Sequence, residues 1–359
     1  MRGDQAYGES MTGRKPIRVA VVGATGYAGA ELLRYLARHP AVQLTAVTSE
    51  QSAGKQIGEV QPWLRGKLEF TLGRFDVAEV AALADVAFTA LPQGMSAAGV
   101  AALIERGVSV VDIGADFRFR DPDEYARWYV PHPAPHLLAG AVYGLTEYCR
   151  DRLPGARLVA NPGCYPTAAL LALLPLLERR HIETHGIVID AKSGVTGAGR
   201  NVAAEYLFAE VDDNLRAYKI GQHRHAPEIE QAMRSYTAGD HSITFVPHLL
   251  PIKRGILATI YVRPRPGATM TDFADAYRAR YGQERFVVLT GERPPEIRDV
   301  VGTNDCAIGW TLDGRSGQAV LVSVIDNLGK GAAGQAIQNF NVMRGLPEAT
   351  GLDHLAVVP

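Results

Sequence analysis

From residue 16 onward the chain alternates short apolar runs with amphipathic ones. Residues 17–22 (Ile-Arg-Val-Ala-Val-Val) are almost continuously apolar, the pattern of a parallel strand covered on both faces. A glycine-rich turn follows at 23–29, then a helix through 30–38 closed by His39-Pro40. Residues 42–47 read as a second strand. Residues 86–91 and 108–113 read as further short strands, with a helix over 96–106 between them. Strands alternating with helices predict parallel βαβ units, and so a doubly wound α/β sheet up to about residue 160.

After residue 161 the pattern changes. An apolar helix follows Cys164. Residues 187–190, 242–246, 256–262, 286–289 and 319–324 are then strand-like, with few helices between them. That predicts an α+β unit around a larger, mixed or antiparallel sheet. A last helix is expected from near 332 to about 343, after Gly329-Lys-Gly331. Residues 1–15 lack an apolar core and read as a disordered leader.

The turn Gly23-Ala-Thr-Gly26-Tyr-Ala-Gly29 stands between a strand and a helix. Its first glycine permits the tight turn, and the later ones let backbone approach a pyrophosphate at the positive helix end. The spacing is a variant of GxGxxG, so dinucleotide binding rests on the strand–turn–helix context. Gly23, Thr25, Gly26, Tyr27, Ala28 and Gly29 are the expected cofactor contacts. Thr48, Ser49 and Lys55 at the end of the second strand favour a 2′-phosphate, whereas Glu50 favours a free ribose. NADP(H) is the expected cofactor. Short-chain dehydrogenases share this spacing but need Tyr-x-x-x-Lys, and none of the fourteen tyrosines has a lysine four positions on.

Cys164 lies in Asn161-Pro-Gly-Cys-Tyr-Pro-Thr167, where a strand turns into a helix. Helix N–H dipoles there favour the nucleophilic thiolate; a small buried core cysteine is the plainer alternative. Gln222-His-Arg-His-Ala-Pro-Glu-Ile229 opens a second helix and offers a base and an orienting carboxylate. Metal binding by His-x-His is a rival, but no further ligands cluster with it, and no metal is expected. Arg118 follows the strand at 108–113 and is a candidate phosphate clamp, with a surface salt bridge as the alternative. The loop 192–200 could cradle an anion. His248 and Arg254 in Pro247-His-Leu-Leu-Pro-Ile-Lys-Arg-Gly255 are further candidate substrate contacts.

At 359 residues, two domains are the default. A net charge of −1 gives no field to recruit nucleic acid or an anionic membrane, and no run reaches the length of a membrane span. Cys149, Cys164 and Cys306 form neither a disulfide framework nor a metal knuckle, as expected of a cytoplasmic protein.

Taken together, these segments resemble the N-acetyl-γ-glutamyl-phosphate reductases, NADPH-dependent acyl-phosphate reductases of arginine biosynthesis. The matching stretches are GATGYAG at 23–29, DFR at 116–118, NPGCYPT at 161–167, DAKSGVTGAGR at 190–200, HRHAPEI at 223–229, PHLLPIKRGI at 247–256 and VIDNLGKGAAGQAIQNFN at 324–341. The resemblance implies a Rossmann-type NADP domain (16–160 plus a C-terminal helical segment, 329–359) and a catalytic/dimerisation domain (161–328), assembled as a homodimer or homotetramer. It implies Cys164 as nucleophile and His225 as base, with His223 able to exchange roles and Glu228 orienting. Arg118, Ser193, His248 and Arg254 would hold the acyl phosphate, and Pro92, Ser193, Gly194 and Asn327 would join the cofactor contacts. Two departures stand out: Glu50-Gln51 where many relatives offer an arginine, and Gly114 where a serine is common. The nearest alternative is the carrier-bound aminoadipyl-phosphate reductase of lysine biosynthesis. A non-catalytic NADP-sensing protein is a more distant one.

Overall fold

The structure, a computed structural model, describes residues 15–200 and 202–357; most of the expected N-terminal leader lies outside the described residues. Two sheets carry the fold. The first is six-stranded and wholly parallel, in the order β2-β1-β3-β4-β6-β5. Its strands are β1 (Ile17–Val22), β2 (Val42–Thr48), β3 (Val86–Thr89), β4 (Ser109–Asp112), β5 (Val142–Tyr143) and β6 (Leu158–Ala160). Val19, Val21, Phe88, Val111 and Val159 enter a core on one face; Ala20, Ala87, Val110 and Leu158 enter a core on the other. Double coverage is why these strands are continuous apolar runs.

The second sheet is seven-stranded and mixed, in the order β11-β12-β13-β10-β7-β9-β8. It comprises β7 (Ile187–Gly194), β8 (Arg216–Ala217), β9 (Ile243–Leu250), β10 (Ile256–Val262), β11 (Val287–Gly291), β12 (Cys306–Asp313) and β13 (Gln318–Ile325). β7 runs four residues past the expected end at 190. It pairs with β10 on one side and β9 on the other, so Lys192 and Ser193 are strand residues rather than loop.

The helix Cys164–Glu178 fills the inner face of this sheet; from Tyr165 to Leu177 every residue is buried. It continues through Pro175, which has no N–H to return to Leu171. That carbonyl instead accepts the Tyr281 hydroxyl at 2.7 Å, and Tyr277 donates to Ala172 at 2.6 Å. Both tyrosines come from the helix Met270–Tyr281. The proline is thus accommodated by two side-chain donors.

The closing helix Gly334–Met343 is preceded by a π-turn, Gly329–Ala333. Ala333, Ala336, Ile337, Phe340 and Met343 return to the core of the first sheet. The turn therefore crosses from the second sheet to the first beside the N-terminus of the Cys164 helix. Lys330 on this turn is fully buried against Glu147 and Gln338, each at 2.6 Å.

Candidate active site

The carboxyl ends of β1 and β3 meet at the glycine turn. Gly23 has φ +86°, and a side chain on it would stand 2.5 Å from the Ala90 carbonyl oxygen. A Cβ on Gly29 would stand 2.3 Å from the Gly23 oxygen. Both glycines are thus required by close backbone approach. Gly26, at the N-cap of the helix Tyr27–Leu36, supplies no side-chain cap, and no acidic residue occupies the first turn. The helix N-terminus is therefore left for an anion. The Thr25 and Ser49 hydroxyls stand 2.7 Å apart beside it. Pro92 follows β3 at the same edge, and Lys55 is exposed. This cradle fits a dinucleotide phosphate.

Asn327 is buried just beyond the end of β13. Its Oδ1 accepts the Gly255 N–H at 2.8 Å and its Nδ2 donates to Thr196 Oγ1 at 2.9 Å. Ser193 lies next to it: a Cβ on Gly197 would be 2.8 Å from Ser193 Oγ and 3.9 Å from Asn327 Nδ2. Gly194 packs so closely on the 253–254 backbone that a Cβ would stand 2.8 Å from it. Gly331 of the π-turn packs against Cys164: a Cβ there would lie 2.8 Å from Cys164 Cβ.

Cys164 is the first residue of its helix, with Gly163 as the N-cap. Gly163 lacks the side chain that would clash with its neighbours: a Cβ there would stand 2.5 Å from His225 Nε2 and 2.9 Å from Arg118 NH1. The glycine thus admits an imidazole and a guanidinium to the shoulder of the cysteine. Burial pushes the Cys164 thiol up to about 11, against the pull of Arg118 and of the N–H groups of Tyr165 and Cys164. The helix-end preference for thiolate is real, but desolvation outweighs it. Alkylation of Cys164 in the unliganded protein is expected to rise about tenfold per pH unit and to level off only near pH 11. Peptide mass spectrometry after timed iodoacetamide exposure reads this directly; a plateau below pH 8 would contradict it.

His225 opens the helix His225–Tyr236 and is held neutral, its pKa driven well below the usual range by burial, then by His223, Arg118 and Arg224. Among the described residues its Nδ1, though buried, has no hydrogen-bond partner. His223 is likewise lowered, to about 4, by burial and by Lys219 and Arg224. Its Nδ1 accepts the His225 backbone N–H at 3.2 Å. His223 therefore supports the turn that carries His225, and both rings pack edge-on against Tyr165.

Four expected roles change in the structure. Glu228 does not reach His225. Its Oε1 accepts the Gly163 N–H and the Tyr143 hydroxyl, both at 2.8 Å, and its Oε2 faces Arg118 NH1 at 3.3 Å. It fixes the backbone entering the Cys164 helix. Arg118 is not a free clamp: Nε and NH2 donate to the Asn161 and Ile113 carbonyls, both at 2.8 Å. Arg254 is engaged by Glu31 at 2.8 Å and Asp326 at 3.0 Å, tying the helix Tyr27–Leu36 to the second sheet. His248 lies on the opposite sheet face from Cys164. In β9 it alternates with buried Pro247 and Leu249, and its Nδ1 is 3.1 Å from Asp190, which also holds Lys192 at 2.8 Å. Strand parity puts it out of reach. Tyr143, Asn161 and Gly331 were not picked out as site residues in the sequence. Asn161 opens the Asn-Pro-Gly-Cys stretch and Gly331 closes Gly-Lys-Gly, whereas no motif marks Tyr143.

A parallel nucleotide sheet, a mixed sheet and a cysteine at their junction define a semialdehyde-dehydrogenase-type oxidoreductase. Two family models match: "Semialdehyde dehydrogenase, NAD binding domain" over residues 18–156 and "Semialdehyde dehydrogenase, dimerisation domain" over residues 164–327. Among solved structures, aspartate semialdehyde dehydrogenase II of Vibrio cholerae complexed with ASA shares the fold, with TM-score 0.69 and 19% identity over 92% of this chain and 98% of that one. The NADP complex of the Candida albicans aspartate semialdehyde dehydrogenase aligns with TM-score 0.66 and 16% identity, covering 91% of this chain and 98% of that one. Much nearer in sequence is the N-acetyl-gamma-glutamyl-phosphate reductase of Geobacter sulfurreducens, 49% identical over 96% of this chain and all of that protein. The Pelotomaculum thermopropionicum reductase of the same name is 48% identical over 94% of this chain and 97% of its own length. The chain belongs to the N-acetyl-γ-glutamyl-phosphate reductase family and is an oxidoreductase. No helix among the described residues is long and apolar enough to cross a membrane.

Proposed function

We propose that this enzyme reduces N-acetyl-γ-glutamyl phosphate with NADPH to N-acetylglutamate 5-semialdehyde and phosphate, through an acyl thioester on Cys164, in arginine biosynthesis. The observation that carries the reading is the shared shoulder of Gly163, where a neutral imidazole stands beside a helix-end cysteine. The thiol proton passes to neutral His225 as sulfur attacks the acyl carbon. The carbon–oxygen bond to phosphate breaks, and the thioester remains. Glu228, itself held by Arg118 and Tyr143, accepts the Gly163 N–H and so fixes the turn before Cys164, whose own N–H is the donor assigned to the oxygen that gains charge.

Gly23, Thr25, Gly26, Tyr27, Ala28, Gly29, Thr48, Ser49, Pro92, Gly194 and Asn327 would hold the cofactor, which when bound would supply a hydride for the acyl carbon. His225 returns its proton to sulfur as the aldehyde departs. Ser193, beside Asn327, remains as a substrate contact.

In this reading residues 16–160 with the segment from 329 form the nucleotide unit, and residues 161–328 form the catalytic unit. The outer face of the second sheet, where Val188, Leu257, Tyr261, Val320 and Val322 are half-exposed, pairs with a second copy.

The reverse reaction tests the proposal. NADP⁺ reduction by N-acetylglutamate semialdehyde is expected to require inorganic phosphate. Equal or better turnover of the homologue one methylene longer would move the substrate to the lysine branch. Turnover independent of phosphate would end the acyl-phosphate reading.

A further inference from the structure

The acidic residue after the second strand is turned away from a ribose role by a segment remote in sequence. Residues 71–75 are stitched to the end of β2. Gly73 bridges Thr48, the Ser49 N–H donates to the Gly73 oxygen at 2.9 Å, and Gly73 N–H donates to Val47 at 3.2 Å. Leu72 exchanges backbone hydrogen bonds with the Gly54–Lys55 turn at 2.8 and 2.9 Å. This sheet extension carries Phe75 and Arg74 to the place where an adenosine ribose meets the second strand of a dinucleotide fold.

There the Phe75 N–H donates to Glu50 Oε1 at 2.8 Å, and Arg74 NH1 stands 4.0 Å from Glu50 Oε2. One carboxylate oxygen is therefore spent on backbone and the other faces a cation. The Arg74–Glu50 contact is long, and both side chains are largely exposed (79% and 55%). Such a pair contributes little, so the guanidinium keeps nearly all its donors for another anion. Ser49, with its hydroxyl on Thr25, stands at the same strand end.

We infer that Arg74 recognises the 2′-phosphate of NADP(H), with Glu50 serving as its counter-ion rather than as a ribose ligand. A guanidinium fork matches phosphate oxygens and discriminates a phosphorylated from a free 2′-hydroxyl. The inference rests on the reading that residues 23–29 bind a dinucleotide. It locates the specificity cation 24 positions beyond Glu50, on a segment that only isolated tertiary bridges bring close.

Direct titration of the full chain tests it without turnover. NADPH, NADH, 2′,5′-ADP and 5′-AMP would be titrated calorimetrically into the unsubstituted protein and into Arg74→Gln, Arg74→Lys and Lys55→Gln. Arg74→Gln should weaken NADPH and 2′,5′-ADP by roughly ten- to a hundredfold, leaving NADH and 5′-AMP unchanged. Arg74→Lys should restore part of the loss, since it keeps the charge but not the fork. An unaltered NADPH-to-NADH ratio in Arg74→Gln overturns the inference, as does a loss confined to Lys55→Gln. If the unsubstituted chain binds no dinucleotide, the reading of residues 23–29 fails and this inference falls with it.

Discussion

Replacing Cys164 by serine is expected to abolish phosphate-dependent turnover, by roughly 10³-fold or more, while NADPH still binds. A serine hydroxyl is a far weaker acid than even this raised thiol. The imidazole beside it, His225, is held neutral with its pKa well below the normal range, so it accepts a proton reluctantly. Neither change in acidity nor the near-identical volume disturbs the glycine cradle, which lies at the carboxyl ends of β1 and β3. Serine keeps the same Cβ, so the close approach of Gly331 is undisturbed. Steady-state assay beside dinucleotide titration and a thermal melt separates the outcomes. Turnover surviving in Cys164→Ser would remove sulfur from the mechanism.

His225→Asn should lower turnover by about 10²- to 10⁴-fold, with a change in pH profile that a packing defect would not produce. In the unsubstituted protein, protonating His225 requires acid well below neutrality, so the neutral base is present throughout the physiological range. Without it the thiol must ionise to solvent. Because burial raises the thiol to about 11, the thiolate fraction grows with every pH unit up to that value. Residual activity of the variant should therefore climb steeply between neutral and strongly alkaline pH, where the unsubstituted enzyme changes less. His223→Asn is expected to cost less, because His223 reaches the site through the His225 backbone N–H. Equal losses with identical pH profiles in both variants would exclude His225 as the proton carrier.

The parts legible in sequence are those with local causes. The apolar run 17–22, the glycine turn and the cysteine at a helix start each depend on neighbours within a few residues, and the structure places them at one edge. The helix Met270–Tyr281 was missed although its buried positions, Phe273, Ala276, Tyr277 and Tyr281, recur at helical spacing behind a Thr269–Asp272 capping box. Aromatic residues in a stretch of strands masked that periodicity. β12 was missed as well; its Cys306 to Trp310 are all buried, and the glycine at 309 dilutes the strand signal.

The departures at the site have a different origin. His248 was lost to parity, since one residue of register decides which sheet face a side chain takes. Glu228, Arg118 and Arg254 were assigned to substrate or to histidine by chemical type. Their actual partners, Gly163, Asn161 and Glu31, are 65, 43 and 223 residues distant. A buried charge goes to the counter-groups that tertiary packing supplies, and no local pattern announces them. Arg74 shows the same effect in the opposite direction, as a cation brought to a strand end by pairing that the linear sequence does not display.

The most direct measurement is a single-turnover reaction of the enzyme with N-acetylglutamate semialdehyde and NADP⁺ in the strict absence of phosphate. The account predicts a burst of NADPH stoichiometric with active sites, then arrest, with intact mass spectrometry locating the N-acetylglutamyl group on Cys164 and added phosphate restarting turnover. Continued turnover without phosphate, or a burst that leaves Cys164 unmodified, would contradict it.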